Sequence, residues 1–174
     1  DIHIYGNPHY WLAPENVKLI LEQILNKLYE LNPDNSEYFK KNYDEYLNKL
    51  NSVIVECQGK ITHYRGVKIV TYHNTWLYFS KRFGLEIVGF VEPKPGISQN
   101  PSHIVSLVEK MRREKVNVII IEPYYNFKIA ESVAKDAGAK VLILPVSVGG
   151  VKGVDTYLDM LEYNISKLVE ALGR

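Results

Sequence analysis

At 174 residues, 46% apolar and 24% charged, the chain is long enough to bury a full hydrophobic core and has the composition of a water-soluble globular domain. Its 21 Lys+Arg against 20 Asp+Glu leave no charge excess to attract nucleic acid or an anionic membrane. The single cysteine, Cys57, excludes an internal disulfide framework and a multi-cysteine zinc site, and no apolar run approaches the ~18 residues that span a bilayer.

The opening Asp1 to Gly6 lacks an initiator Met and reads like the middle of a protein, so the chain is expected to be a processed or excised piece. Gly6 to Pro14 is turn-rich, because Pro8 and Pro14 forbid regular helix between them. Pro14 and Glu15 suit the first turn of a helix in which Val17, Ile20, Leu21, Ile24, Leu25, Leu28 and Leu31 form one apolar stripe. Asn32 to Ser36 breaks that helix and caps the next. The second helix is predicted over Glu37 to Cys57, with Phe39, Tyr43, Tyr46, Leu47, Leu50, Val53, Ile54 and Cys57 as its stripe. At about 30 Å it is long enough to serve as a spine between two lobes. Gly59 to Gly66 reads as a loop, which puts a domain boundary near residue 60.

From there the pattern alternates. Strands are predicted at Val67 to Tyr72, Glu86 to Val91, Val116 to Ile121 and Lys140 to Leu144. Helices are predicted near Thr75 to Phe83, Pro101 to Glu114, Phe127 to Ala137 and Val154 to Leu172, with Asn100 as one N-cap and Gly138 as a C-cap. Asn74 and Thr75 are available to cap the first of these. The expected class is α/β: a Rossmann-like, four-stranded parallel sheet with helices on both faces. No Gly-rich loop follows the first strand, which argues against a dinucleotide or P-loop site, and Gly149, Gly150 and Gly153 read as a flexible connection.

Ligands in open α/β sheets sit at the carboxyl ends of the strands. His73 ends the first strand there, Glu92 ends the second and Glu122 the third, and His9 lies in the loop Asn7-Pro8-His9-Tyr10-Trp11. Imidazole and carboxylate are ligands for Zn²⁺ and, with more oxygen, for Mn²⁺. Each also has a plainer reading: His73 as a hydrogen-bonded residue at a helix start, His9 as a loop residue, Glu92 as a solvated charge beside Lys94. Glu122 follows Ile119-Ile120-Ile121 directly, and a carboxylate at the mouth of a buried strand needs a partner. If the strand order is 2-1-3-4, His73 and Glu122 share a crevice, while the Pro/Gly loop after Glu92 can carry that side chain away. His3, His63 and His103 have poorer settings. Trp11 and Trp76 stand where they could wall a shared cleft. A competing reading is a small α/β metallohydrolase using His73, Glu92 and Glu122.

The segment GNPHYWLAPENV (Gly6 to Val17) resembles the histidine signature of the metal-binding lipoproteins that serve zinc and manganese ABC importers. The likeness continues through the spine helix, YHNTWLYFSKRFGLEIVGF, IIIEPYYNFKIAESVAKDAGAK and the closing YLDMLEYNISKLVEAL, and so covers essentially the whole chain. The resemblance implies two α/β lobes joined by a rigid helix that trap one Zn²⁺ or Mn²⁺ between them, no catalysis, and delivery to a membrane permease. It implies an extracytoplasmic, lipid-anchored protein and a monomer. On this likeness residues 1–36 are a remnant of the first lobe, 37–59 the linking helix and 60–174 the second lobe. His9 and His73 match family ligands, an earlier ligand histidine would lie before residue 1, and the family aspartate after the last strand has no counterpart in Leu144-Pro145-Val146-Ser147-Val148. Glu122 is the expected replacement, giving His9, His73 and Glu122 as the metal set. Histidine-rich ligation leans toward zinc.

Overall fold

A computed structural model of the chain describes residues 6–92 and 100–173. His3 and the Pro/Gly loop that follows Glu92 lie outside the described residues.

A 3-10 turn at Tyr10–Leu12 leads into helix α1 (Pro14–Leu31), and a second 3-10 turn (Pro33–Asn35) reverses the chain into α2 (Ser36–Ile61). Pro14 begins α1, where its missing N–H costs nothing. α2 runs 26 residues, longer at both ends than the apolar stripe predicts. It passes straight through Gly59, because Ile61 is fully buried and its contacts outweigh the modest helix cost of one glycine. Leu50, Ile54, Cys57 and Ile61, spaced at three and four, are its buried face. The stripe residues nearer its start, Phe39, Tyr43, Tyr46 and Leu47, are only half-buried against α1.

The remainder alternates: β1 (Lys68–Thr71), α3 (Leu77–Phe83), β2 (Glu86–Phe90), α4 (Pro101–Glu114), β3 (Val118–Ile121), α5 (Phe127–Ala137), β4 (Lys140–Ile143) and α6 (Tyr157–Leu172). The strands form one parallel sheet in the order β2-β1-β3-β4, which meets the condition set above for the doubly wound order. Successive residues of the central strands feed opposite cores. Ile69, Val118 and Ile120 join α2, α3 and α6 on one face, while Val70, Ile119 and Ile121 join α4 and α5 on the other. Gly89 is required in β2, since a β-carbon there would lie 2.6 Å from Leu107 Cδ1 of α4.

Side-chain caps start three of the helices and are missing from a fourth for which the sequence offers them. Asn100 and Asn126 accept the amides of Ser102 and Lys128, and Thr156 and Asp159 form a reciprocal capping box that starts α6 three residues later than the apolar pattern suggests. α3 begins at Leu77, with Trp76 in the capping position and no side-chain cap from Asn74 or Thr75. Those two residues instead belong to the loop that carries His73.

Leu50 and Cys57 have no exposed surface, and burial pushes the Cys57 thiol up to about 11. Leu50→Ala should therefore lower the unfolding free energy by about 2–5 kcal/mol in urea titrations. Cys57 should react with a thiol reagent only as the chain unfolds, and faster in the variant; equal labelling rates would mean that this face of α2 is not core.

Candidate metal site

His9 is held by a segment that is fastened to the sheet domain at several points. Pro8 precedes it and the Tyr10–Leu12 turn follows, so the chain is too constrained to run on as loop. Leu12 is buried in the α2/α3/α6 core. Trp11 Nε1 donates to Val146 O in the β4–α6 loop at 2.8 Å, and Tyr157 Oη of α6 donates to Trp11 O at 2.8 Å. The Arg82 guanidinium of α3 pairs with Glu15 at the start of α1 and also bonds Gln58 of α2. Asn7 Nδ2 donates to Asn74 O at 2.7 Å, which joins the His9 loop to the His73 loop directly. Asn7 Oδ1 lies 2.9 Å from both the backbone N and Nδ1 of His9.

His73 stands two residues beyond β1, at the carboxyl edge of the sheet, and is 8% exposed. Thr71 Oγ1 donates to His73 O at 2.8 Å and fixes the turn. His73 Nδ1 lies 3.1 Å from Glu92 Oε2. Glu92 is positioned by its own amide, which donates to Tyr72 O at 2.8 Å and extends the β1–β2 pairing one step past the strand. The expectation that the loop after β2 carries Glu92 away is thus not met. The backbone ladder holds its Cα beside β1 before that loop starts. The Glu92 carboxylate is thus within ion-pair range of the His73 ring. Tyr125 covers the same edge, its ring centroid 4.6 Å from that of Tyr72 and 6.3 Å from that of His73.

Glu122 directly follows β3 and has no exposed surface. Its Oε1 accepts from Trp76 Nε1 at 3.1 Å, and Trp76 is itself fully buried, edge-on to Phe79. Burial raises the Glu122 carboxyl above its ordinary range, the bonds from Thr75 and Trp76 oppose that rise, and the charge of Glu92 adds to it. The Tyr125 phenol is raised as well, by burial first and by Glu122 next.

The three residues expected to form the metal set are thus distributed over linked but distinct contacts. His9 and His73 are joined through Asn7 and Asn74, His73 meets Glu92, and Glu122 holds Trp76. Among the described residues no three His, Cys, Asp or Glu side chains converge closely enough to hold a metal ion. His63 is exposed after α2, and His103 Nε2 lies 2.9 Å from Phe90 O, to which it donates. Sequence reasoning passed over Asn7, although an asparagine two residues before a loop histidine is a recognisable turn signal.

The sequence model of a family described as "ZnuA: Zinc-uptake complex component A periplasmic" matches residues 2–171. Over 174 aligned residues the chain is 32% identical to a metal ABC transporter substrate-binding lipoprotein, ScbA, of Streptococcus cristatus. It is 30% identical to a manganese ABC transporter substrate-binding lipoprotein, PsaA, of Streptococcus pneumoniae. Each alignment covers 97% of this chain and 56% of the relative, so the chain spans little more than half the length of the curated relatives it matches. The fold superposes on a manganese-bound point mutant of a periplasmic metal binding protein from Candidatus Liberibacter asiaticus with a TM-score of 0.82 at 26% identity, covering 96% of this chain and 64% of that one. It also superposes on the laminin-binding protein Lbp of Streptococcus pyogenes, with a TM-score of 0.80 at 27% identity, covering 95% and 64%. A match that runs from residue 2 to residue 171 shows that the chain belongs to the ZnuA family, described as zinc-uptake complex component A.

Proposed function

We propose that this chain supplies the spine helix and second lobe of an extracytoplasmic solute-binding protein, which captures Zn²⁺ or Mn²⁺ between two lobes and hands it to the permease of an ABC importer. The ion is cargo, and the protein's work is capture, lobe closure and docking rather than catalysis. The observation that carries the reading is the Asn7–Asn74 hydrogen bond, which holds the His9 and His73 loops together at the ligand-binding edge of the sheet. The relatives' descriptions as substrate-binding lipoproteins of metal ABC transporters support the importer role and a lipid-anchored location outside the cytoplasm. No helix among the described residues is long and apolar enough to cross a membrane. Two imidazole ligands favour zinc over manganese, since manganese is the weakest binder of the first-row divalent ions and prefers oxygen ligands.

In this proposal His9 and His73 ligate the ion, and the remaining positions are filled from the part of the relatives that the chain does not span. Strand order alone nominates Glu122 as a further ligand. Its Oε1 is occupied by the Trp76 indole, whereas Glu92 already faces His73, so the proposal ranks Glu92 ahead of it as the carboxylate at the site.

The 174-residue chain alone should bind Zn²⁺ weakly in calorimetry, because solvent fills positions that the first lobe would occupy and closure energy is absent. Tight stoichiometric binding by this chain, lost in His73→Ala, would contradict the split site. In the protein carrying both lobes, His9→Ala and His73→Ala should each lower zinc affinity at least tenfold, about 1.4 kcal/mol. Wild-type affinity in either variant removes that residue from the site.

The two carboxylates separate in the same two-lobed protein. Glu92→Gln should weaken zinc binding about tenfold or more, while Glu122→Gln, whose amide oxygen can still accept from Trp76, should change it by less than about threefold. The reverse ranking would make Glu122 the ligand.

A further inference from the structure

Asn7 touches both histidine loops, and its side-chain amide can be oriented without ambiguity. Its nitrogen lies 2.7 Å from the carbonyl oxygen of Asn74, a group that can only accept. Its oxygen lies 2.9 Å from the backbone N–H of His9, a group that can only donate. Exchanging the amide oxygen and nitrogen would set donor against donor and acceptor against acceptor, so the orientation follows from two obligate backbone partners. The same oxygen is 2.9 Å from His9 Nδ1. An amide oxygen cannot donate, so the neutral ring must carry its proton on Nδ1 and the lone pair on Nε2.

We infer that Asn7 is a positioning residue that locks His9 in the Nδ1–H form, aims Nε2 as the metal-ligating atom, and fixes the His9 loop to the His73 loop through Asn74. The inference rests on the proposed metal-capture role only for the use to which Nε2 is put; the tautomer itself is a property of the chain without metal. The bond to the His9 amide is an ordinary asparagine turn. The ring nitrogen on the same oxygen and the tether to Asn74 go beyond what a turn requires. Glu92 also stands beside the ring of His73, its Oε2 3.1 Å from Nδ1.

The test reads the proton directly. Long-range proton–nitrogen correlation spectra of the ¹⁵N-labelled 174-residue chain would be recorded metal-free at about pH 8.5, some two units above the usual imidazole pKa. The His9 signals are those lost in His9→Ala. Wild type should show His9 predominantly as the Nδ1–H tautomer. Asn7→Ala should move it toward the Nε2–H form that free imidazole side chains favour. Asn7→Asp keeps two acceptor oxygens for His9 but cannot donate to Asn74 O, so it should retain the Nδ1–H form. It also keeps the question answerable if Asn7→Ala does not fold. A wild-type His9 in the Nε2–H form, an unchanged tautomer in folded Asn7→Ala, or an Nε2–H form in Asn7→Asp would each overturn the assignment. In the two-lobed protein, Asn7→Ala should lower zinc affinity about tenfold to a hundredfold, as loss of a ligand-orienting partner does. Unchanged affinity would overturn the positioning role even with the tautomer confirmed. If the tautomer behaves as stated while His9→Ala itself leaves zinc affinity unchanged, the capture reading fails at His9 and with it the assigned use of Nε2.

Discussion

The constraint on which the rest of the structure depends is that β1 and β3 are buried on both faces. Ile69, Val70 and all four residues of β3 are fully shielded, and their side chains alternate between two separate cores. A parallel sheet of this kind needs helices above and below it. It also leaves polar work to the strand ends. Of the six buried polar residues among those described, Thr71, His73, Thr75 and Glu122 all lie at the carboxyl edge of these two strands. An unpartnered buried polar group costs about 1–3 kcal/mol. Concentrating four buried polar residues, with the partners they need, at one edge marks where the fold carries function rather than stability.

The second organising contact is the attachment of the His9 segment. Each neutral hydrogen bond, from Trp11, Tyr157 or Asn7, contributes only about 1 kcal/mol. Burial of Leu12 adds about 2 kcal/mol, and the Arg82 pairing to Glu15 adds little because Glu15 is half-exposed. His9 is therefore fixed relative to His73 by contacts within the sheet domain, even though it precedes the spine helix in the chain. The residue after next, Trp11, is bonded to the β4–α6 loop and to α6, which ties the His9 segment to the far end of the chain.

The two glutamates show how position on a strand and role at a site come apart. Glu92 and Glu122 each end a strand next to a proline, and each is a candidate on sequence grounds. The β1–β2 ladder continues through the Glu92 amide and keeps that carboxylate on His73. Glu122 lies deeper, takes the Trp76 indole proton in a hydrogen bond, and so anchors the residue that opens α3. Burial raises its carboxyl above the ordinary range, and the bonds from Thr75 and Trp76 oppose that rise.

By itself the sequence determined the elements and their class. Apolar runs of period 2 and 3.6, prolines at helix starts, and the Asn100 and Gly138 caps are local signals, and α1, α4 and α5 begin and end where those signals lie. It also singled out His9 and His73 as candidate ligands, since they sit in distinctive short motifs. Tertiary structure alone decided the rest. α2 overruns Gly59 because Ile61 has a core to enter, and α3 starts late because Asn74 and Thr75 serve the His73 loop instead of a cap. Asn7 reaches Asn74 across 67 residues of sequence, and Glu92 rather than Glu122 meets His73. These pairings depend on how strand ends and loops are brought together in space. Periodicity reports a residue's own environment, and carries no information about which distant backbone group will stand within hydrogen-bonding reach.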